Sequence, residues 1–167
     1  MITTFLVEHR WVTTMALVAC LAAGAPLGYA LADRRRWAFG LGLASLLPVA
    51  ALTLLPTSRQ LAASCAVEWS LPTFGAVELM ANIVLLIPPT LLLGVATRRP
   101  LVVLAAASGL SALIEITQAL VPELGRSCST NDWLMNSIGA ALGVSLAALA
   151  LWGHALRARG GGRAYAS

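Results

Sequence analysis

The chain has 167 residues, which bounds it to one domain. It is 59% hydrophobic and 11% charged, against about 25% charged in an ordinary soluble protein, which excludes a solvated globule and points to a membrane helix bundle. The net charge of +4 comes from eleven arginines and no lysine, set in short loops between apolar runs. There they orient helices rather than bind nucleic acid.

Five apolar runs follow in chain order: about Trp11 to Ala32, Ala38 to Pro56, Leu79 to Ala96, Leu101 to Val121 and Leu134 to Trp152. Each is near the roughly 20 residues that cross a bilayer core. Ala30-Leu31-Ala32 resembles a signal-peptide cleavage site, but cleavage would export Arg34, Arg35 and Arg36 against the charge bias, so the first run is read as a retained span. Eight arginines (34, 35, 36, 98, 99, 157, 159 and 163) fall on one side, and only Arg10, Arg59 and Arg126 on the other. The positive-inside rule then sets the N-terminus outside and the C-terminus in the cytoplasm. The predicted fold is an all-α polytopic bundle of five transmembrane helices. Within the third span, Pro88-Pro89 predicts a kink with freed carbonyls near Val84 and Leu85. In the fifth, Gly139-x-x-x-Gly143 permits close helix packing. The outer loops run about Thr57 to Glu78 and Pro122 to Trp133, with Trp69 and Phe74 as interface anchors. The tail, residues 157–167, is expected to be disordered.

The few polar residues of the spans fall at one depth. Glu115 and Gln118 are three apart and share a helix face, with Glu115 about 9 Å from the outer end of its span at 1.5 Å per residue. The pairs Glu78/Asn82 and Asp132/Asn136 each share a face four residues apart, so Asn82 and Asn136 sit about 6 Å deep. An acid or amide is poorly tolerated in hydrocarbon, so several converging at one depth suggest a site. Arg126, in the loop, can hold a phosphate or carboxylate with paired hydrogen bonds. Asp132 can pair with Arg126 or remain near water as a base. The plain alternative is structural, with the amides and Glu115 tying helices together at about 0.6–2 kcal/mol each. Three cysteines with no histidine nearby do not suit zinc, and no cofactor motif is present. Cys20 is mid-span packing. Cys65 and Cys128 fall in the two outer loops, where an oxidising space permits a disulfide.

These residues resemble the VanZ-like family of bacterial membrane proteins, named for glycopeptide (teicoplanin) resistance. The resemblance rests on Asn82 before Pro88, then Glu115-Ile116-Thr117-Gln118, then Arg126, Asp132, Asn136, Gly139 and Gly143, over about Glu78 to Leu151. It implies a core at 78–152, extra N-terminal helices at 11–56, and a setting in the cell envelope at the bacterial cytoplasmic membrane. Two departures stand out. Thr90 replaces a usual Gly, and Ser129 replaces a usual Asp, which puts in doubt any chemistry that needs that Asp.

Three functional readings follow. In the first, an outer-leaflet site binds or modifies a lipid or lipid-linked wall precursor and lowers susceptibility to glycopeptide or lipopeptide antibiotics. Arg126 would hold the headgroup, with Glu78, Asn82, Gln118 and Asn136 around the ligand and Glu115 and Asp132 as acid and base of any reaction. In the second, the bundle is a non-enzymatic scaffold for an envelope machine. In the third it is a small transporter, against which stands the nearly unbroken apolar inner half.

Overall fold

A computed structural model describes residues 8–57, 64–73 and 76–164; Phe74 and Arg59 lie outside the described residues. Helix α1 (Trp11–Leu31) is apolar all round, as a helix set in lipid can be. The second span is two helices, α2 (Arg35–Ala44) and α3 (Leu46–Leu54), rather than one uninterrupted run. Pro48 explains the break, because it has no N–H to offer the carbonyl of Ala44 and fits only the first turn of a new helix. Ser45 bridges the joint, its N–H donating to Leu41 O (2.9 Å) and its hydroxyl to Gly42 O (2.7 Å). The remaining helices are α4 (Val77–Thr97), α5 (Pro100–Leu120) and α6 (Thr130–Ala164). Among the described residues, five helical segments, α2 and α3 counting as one, are long and apolar enough to cross a membrane. The chain is a multi-pass membrane protein.

Helix α4 is the core of the bundle. Its span is 61% buried and that of α6 50%, against 17% for α1 and 22% for α5. Met80, Ile83, Ile87, Leu91 and Val95 recur at helical spacing along one face of α4 and pack on Met135, Leu146, Ala147 and Ala150 of α6. A second cluster, Val49, Leu86, Ile114 and Ala140, joins α3, α4, α5 and α6.

The α4–α6 contact is close because α6 has no side chain where it crosses the proline segment. A Cβ at Gly139 would run into the backbone of Ile83, and one at Gly143 into the Ile87 carbonyl and the Thr90 hydroxyl. Pro88 and Pro89 remain inside one continuous α-helix. They remove the bonds to Val84 and Leu85, and Thr90 supports the next turn, its hydroxyl donating to Leu86 O (2.6 Å) and lying 3.2 Å from Ile87 O. Thr90 thus fills the space beside Gly143.

At one end of the bundle, Cys65–Ala66 and Cys128–Ser129 form a two-residue parallel strand pair, and the paired cysteines are joined by a disulfide with Cα atoms 4.5 Å apart. The turn after α5 is a 3-10 segment, Pro122–Leu124, closed by Gly125 in the left-handed region (φ 59°). At the other end lie Arg34, Arg35, Arg36, Arg98, Arg99, Arg157 and Arg159. There Arg35 Nε donates to Ala96 O (2.8 Å), answering a terminal carbonyl of α4, and His154 meets Asp33 at 2.9 Å. Helix α6 continues to Ala164, so residues 157–164, expected to be disordered, are helical. An already nucleated helix propagates readily through Ala155, Leu156 and Ala158; nothing in the structure accounts for its passage through Gly160–Gly162.

Gly139→Ala is expected to destabilise the solubilised protein by about 1–3 kcal/mol through overpacking. Gly109→Ala, where a Cβ meets nothing within 4 Å, should leave stability unchanged or raised. Thermal unfolding in one detergent compares them, and equal melting temperatures would contradict the close α4–α6 crossing.

Candidate functional site

The site is built where α6 begins. The Ser129 N–H donates to Glu115 Oε2 at 2.9 Å. Glu115 lies five residues before the end of α5 at Leu120, or roughly 7.5 Å along the axis at 1.5 Å per residue. The chain therefore turns back down after α5, and α6 starts below the rim that α5 forms. The disulfide, the strand pair and two side chains hold this descending segment. The Thr130 hydroxyl donates to Glu68 O (2.8 Å) and accepts from Glu68 N–H (2.9 Å). Asn131 accepts from Ser70 N–H (3.1 Å) and donates to Ser70 Oγ (2.8 Å).

One layer gathers most of the polar residues singled out from the sequence. Asn82 Nδ2 donates to Asp132 Oδ1 at 2.7 Å, linking the second turn of α4 to the first turn of α6. An acid in a first helical turn also complements the positive end of the helix dipole. Glu78 and Glu68 are near enough to act coulombically on Asp132, and Asp132 on Glu115. Glu115 is only 7% exposed, so it faces protein rather than lipid. One turn below, Asn136 Nδ2 donates to Ser111 Oγ at 3.0 Å. Asn136 is 3% exposed, and its Oδ1 is buried with no hydrogen-bond partner among the described residues. An orphaned buried acceptor is costly unless something answers it.

Gln118 and Arg126 stand apart from that layer. Gln118 Nε2 donates to Thr53 O at 2.9 Å. The Arg126 guanidinium donates through Nε (3.3 Å) and Nη2 (3.2 Å) to Leu55 O, a carbonyl just past the end of α3 that the helix leaves free. Thr57 reinforces the same junction, its N–H donating to Leu124 O (2.9 Å) and its hydroxyl to Gly125 O (2.5 Å). The sequence reading allowed an Arg126–Asp132 pair. Asp132 takes Asn82 instead, because the turn of Pro122–Gly125 directs Arg126 toward α3. Glu115, Gln118 and Asn136 likewise do not clamp one another, since each has its own partner on a different element.

Ser111 and Ser129 were not singled out from the sequence. Ser111 lies one turn from Glu115 on the same face of α5, the spacing that could have flagged it; Ser129 acts through its backbone, which no side-chain pattern reveals. Beside the layer, a groove of about 500 Å³ runs between α5 and α6, lined by Leu101, Leu104, Ser108, Trp133, Ser137 and Ala141 among others. Trp133 Nε1 donates to Ser108 O (3.2 Å), and the Ser108 and Ser137 hydroxyls meet at 2.9 Å. Among the described residues, no group of three or more His, Cys, Asp or Glu could hold a metal ion.

The disulfide sets a direct check. Alkylating the denatured, unreduced protein should modify Cys20 and spare Cys65 and Cys128. Labelling of all three would contradict the staple.

The motif residues Asn82, Glu115, Gln118, Arg126, Asp132 and Asn136 thus line the disulfide-bearing end of the bundle. No curated protein and no solved structure matches the chain. The VanZ/LLP1 family profile matches residues 11–151, which reaches into all five spans and is wider than the stretch over which the motifs carry the resemblance. The chain belongs to the VanZ/LLP1 family.

Proposed function

We propose that the disulfide-bearing end faces the outside of the bacterial cytoplasmic membrane, and that its polar layer binds the headgroup of a lipid or lipid-linked wall precursor. By sequestering or altering that molecule, the protein lowers susceptibility to glycopeptide or lipopeptide antibiotics, the setting its family membership supports. Two features support the orientation. The opposite end carries the arginine excess, and a disulfide persists in an oxidising space.

The observation that carries the binding reading is the unanswered Asn136 Oδ1 beneath buried Glu115 and half-buried Asp132. A purely structural clamp would close its own hydrogen bonds, whereas a ligand site keeps acceptors in reserve. The groove along α5 and α6 supports an amphipathic ligand, since it offers an apolar chain a path beside Trp133. Arg126 lies at the edge with N–H groups beyond the two bound to Leu55 O, suited to a phosphate. If a reaction follows binding, Glu115 and Asp132 are the acid and base.

A second reading is favoured by a specific fact: Asn82, Glu115 and Gln118 each tie two elements together. In that reading the layer is architecture, and the protein is a non-enzymatic scaffold of an envelope machine.

Glu115→Gln separates the two. It keeps size and hydrogen bonding and removes the titratable proton. Expression of the wild type in a susceptible host should raise the teicoplanin inhibitory concentration, and Glu115→Gln at equal membrane abundance should abolish the rise. Full resistance from Glu115→Gln would favour the scaffold. Native mass spectrometry of the gently solubilised protein tests binding itself. A discrete lipid adduct should appear in the wild type and weaken by roughly tenfold or more in Arg126→Ala, the scale of a charge-assisted hydrogen bond. No adduct in the wild type would contradict the binding reading.

A further inference from the structure

We infer that the headgroup taken by this layer carries a protonated amine; the inference rests on the headgroup reading above and narrows its chemistry. The acids descend from surface to interior. Glu68 and Glu78 are exposed at the mouth, Asp132 is half-buried, and Glu115 is buried within the bundle. Glu68 and Glu78 act coulombically on Asp132, and Asp132 on Glu115, so the four acids form one connected series of carboxyl groups with its exposed negative charge at the mouth. Among the described residues, none of the four meets an arginine in an ion pair, the ion pair present being His154–Asp33 at the other end. The nearby cation of the described loops, Arg126, turns to Leu55 O.

An acidic path alone does not define a ligand. The second observation is independent of charge. Asn136 Oδ1 is an acceptor in a side chain 3% exposed, it has no partner among the described residues, and it lies one helical turn from Asp132 on the same face of α6. Its own amide donor is engaged by Ser111, which is one turn from Glu115 on α5. The interior of the site therefore presents acceptors: a carboxyl group from each of two helices and, one turn deeper, an unpartnered amide oxygen. An anion alone fits such a lining badly. An ammonium group is all donors and no acceptor. It would be drawn in by the exposed acids and receive hydrogen bonds from none of them, giving its own instead. The phosphate of the same headgroup then falls to Arg126 at the edge, so the ligand is zwitterionic, with its amine inward and its phosphate outward.

The test uses the full chain in nanodiscs or mild detergent, offered phosphatidylethanolamine, phosphatidylglycerol and phosphatidylcholine separately, with bound lipid read by native mass spectrometry. Phosphatidylethanolamine should be retained best, phosphatidylglycerol least. Phosphatidylcholine, zwitterionic with a quaternary ammonium that has no N–H donors, should fall between. Glu78→Gln and Glu68→Gln, both at exposed positions where folding is not at risk, should each weaken phosphatidylethanolamine retention by about two- to fivefold, the scale of exposed charge pairs, and leave phosphatidylglycerol unaffected. Soluble ethanolamine competing the lipid away would assign the affinity to the amine; competition only by the intact lipid would assign it to amine and phosphate together. Equal retention of phosphatidylglycerol, indifferent to both substitutions, would overturn the amine inference and leave headgroup binding standing. Retention of none of the three would remove both.

Discussion

A backbone amide carried below the rim of a membrane bundle must find an acceptor, and in this protein the Ser129 N–H finds the carboxylate of Glu115. Water is scarce there and an unpaired amide is costly. The bond lets the chain re-enter the bundle after α5, so that α6 begins roughly 7.5 Å below the end of α5. The rest of the polar layer follows from that start. Asp132 reaches Asn82 because it lies in the first turn of a lowered α6, and Asn136 reaches Ser111 because it lies one turn deeper. The disulfide between Cys65 and Cys128 sits directly before Ser129, fixing the segment whose amide Glu115 receives.

The lowered helix also needs a neighbour it can approach. Gly139 and Gly143 remove the side chains that would hold α6 away from α4. Without hydrophobic driving force between helices in lipid, such close backbone packing carries much of the association. The same crossing accommodates Pro88 and Pro89, whose ladder gap is shouldered by the Thr90 hydroxyl. Packing at the middle of the bundle and polarity at its end are thus coupled. A shift of α6 along α4 would part Asn82 from Asp132 and Asn136 from Ser111 together.

The spans were legible because 18 or more apolar residues between arginines admit few other readings. Glu115, Asn82, Asn136 and Gln118 were legible for the converse reason, since each is conspicuous in an apolar run. Their partners were not. Which amide meets which acid depends on how far the chain descends after α5, and the first residues of α6, Thr130 to Trp133, are too polar for a hydropathy pattern beginning at Leu134 to include. Ser111 is hydropathically bland, and Ser129 acts through its backbone. The turn of Arg126 toward Leu55 O comes from the glycine-closed loop, a three-dimensional fact. The break at Ser45 did have a signal in Pro48, masked by the apolar run around it.

The most direct measurement is an experimental structure of the protein in nanodiscs made from the lipids of its own membrane, at a resolution that separates headgroup from chain. A binding layer should show non-protein density reaching Asn136 Oδ1, with a phosphate near Arg126 and an apolar chain along the groove beside Trp133. Side chains closing over Asn136, with Arg126 bound to Leu55 O and lipid density only around the outer faces of the helices, would contradict the account and leave the layer as architecture.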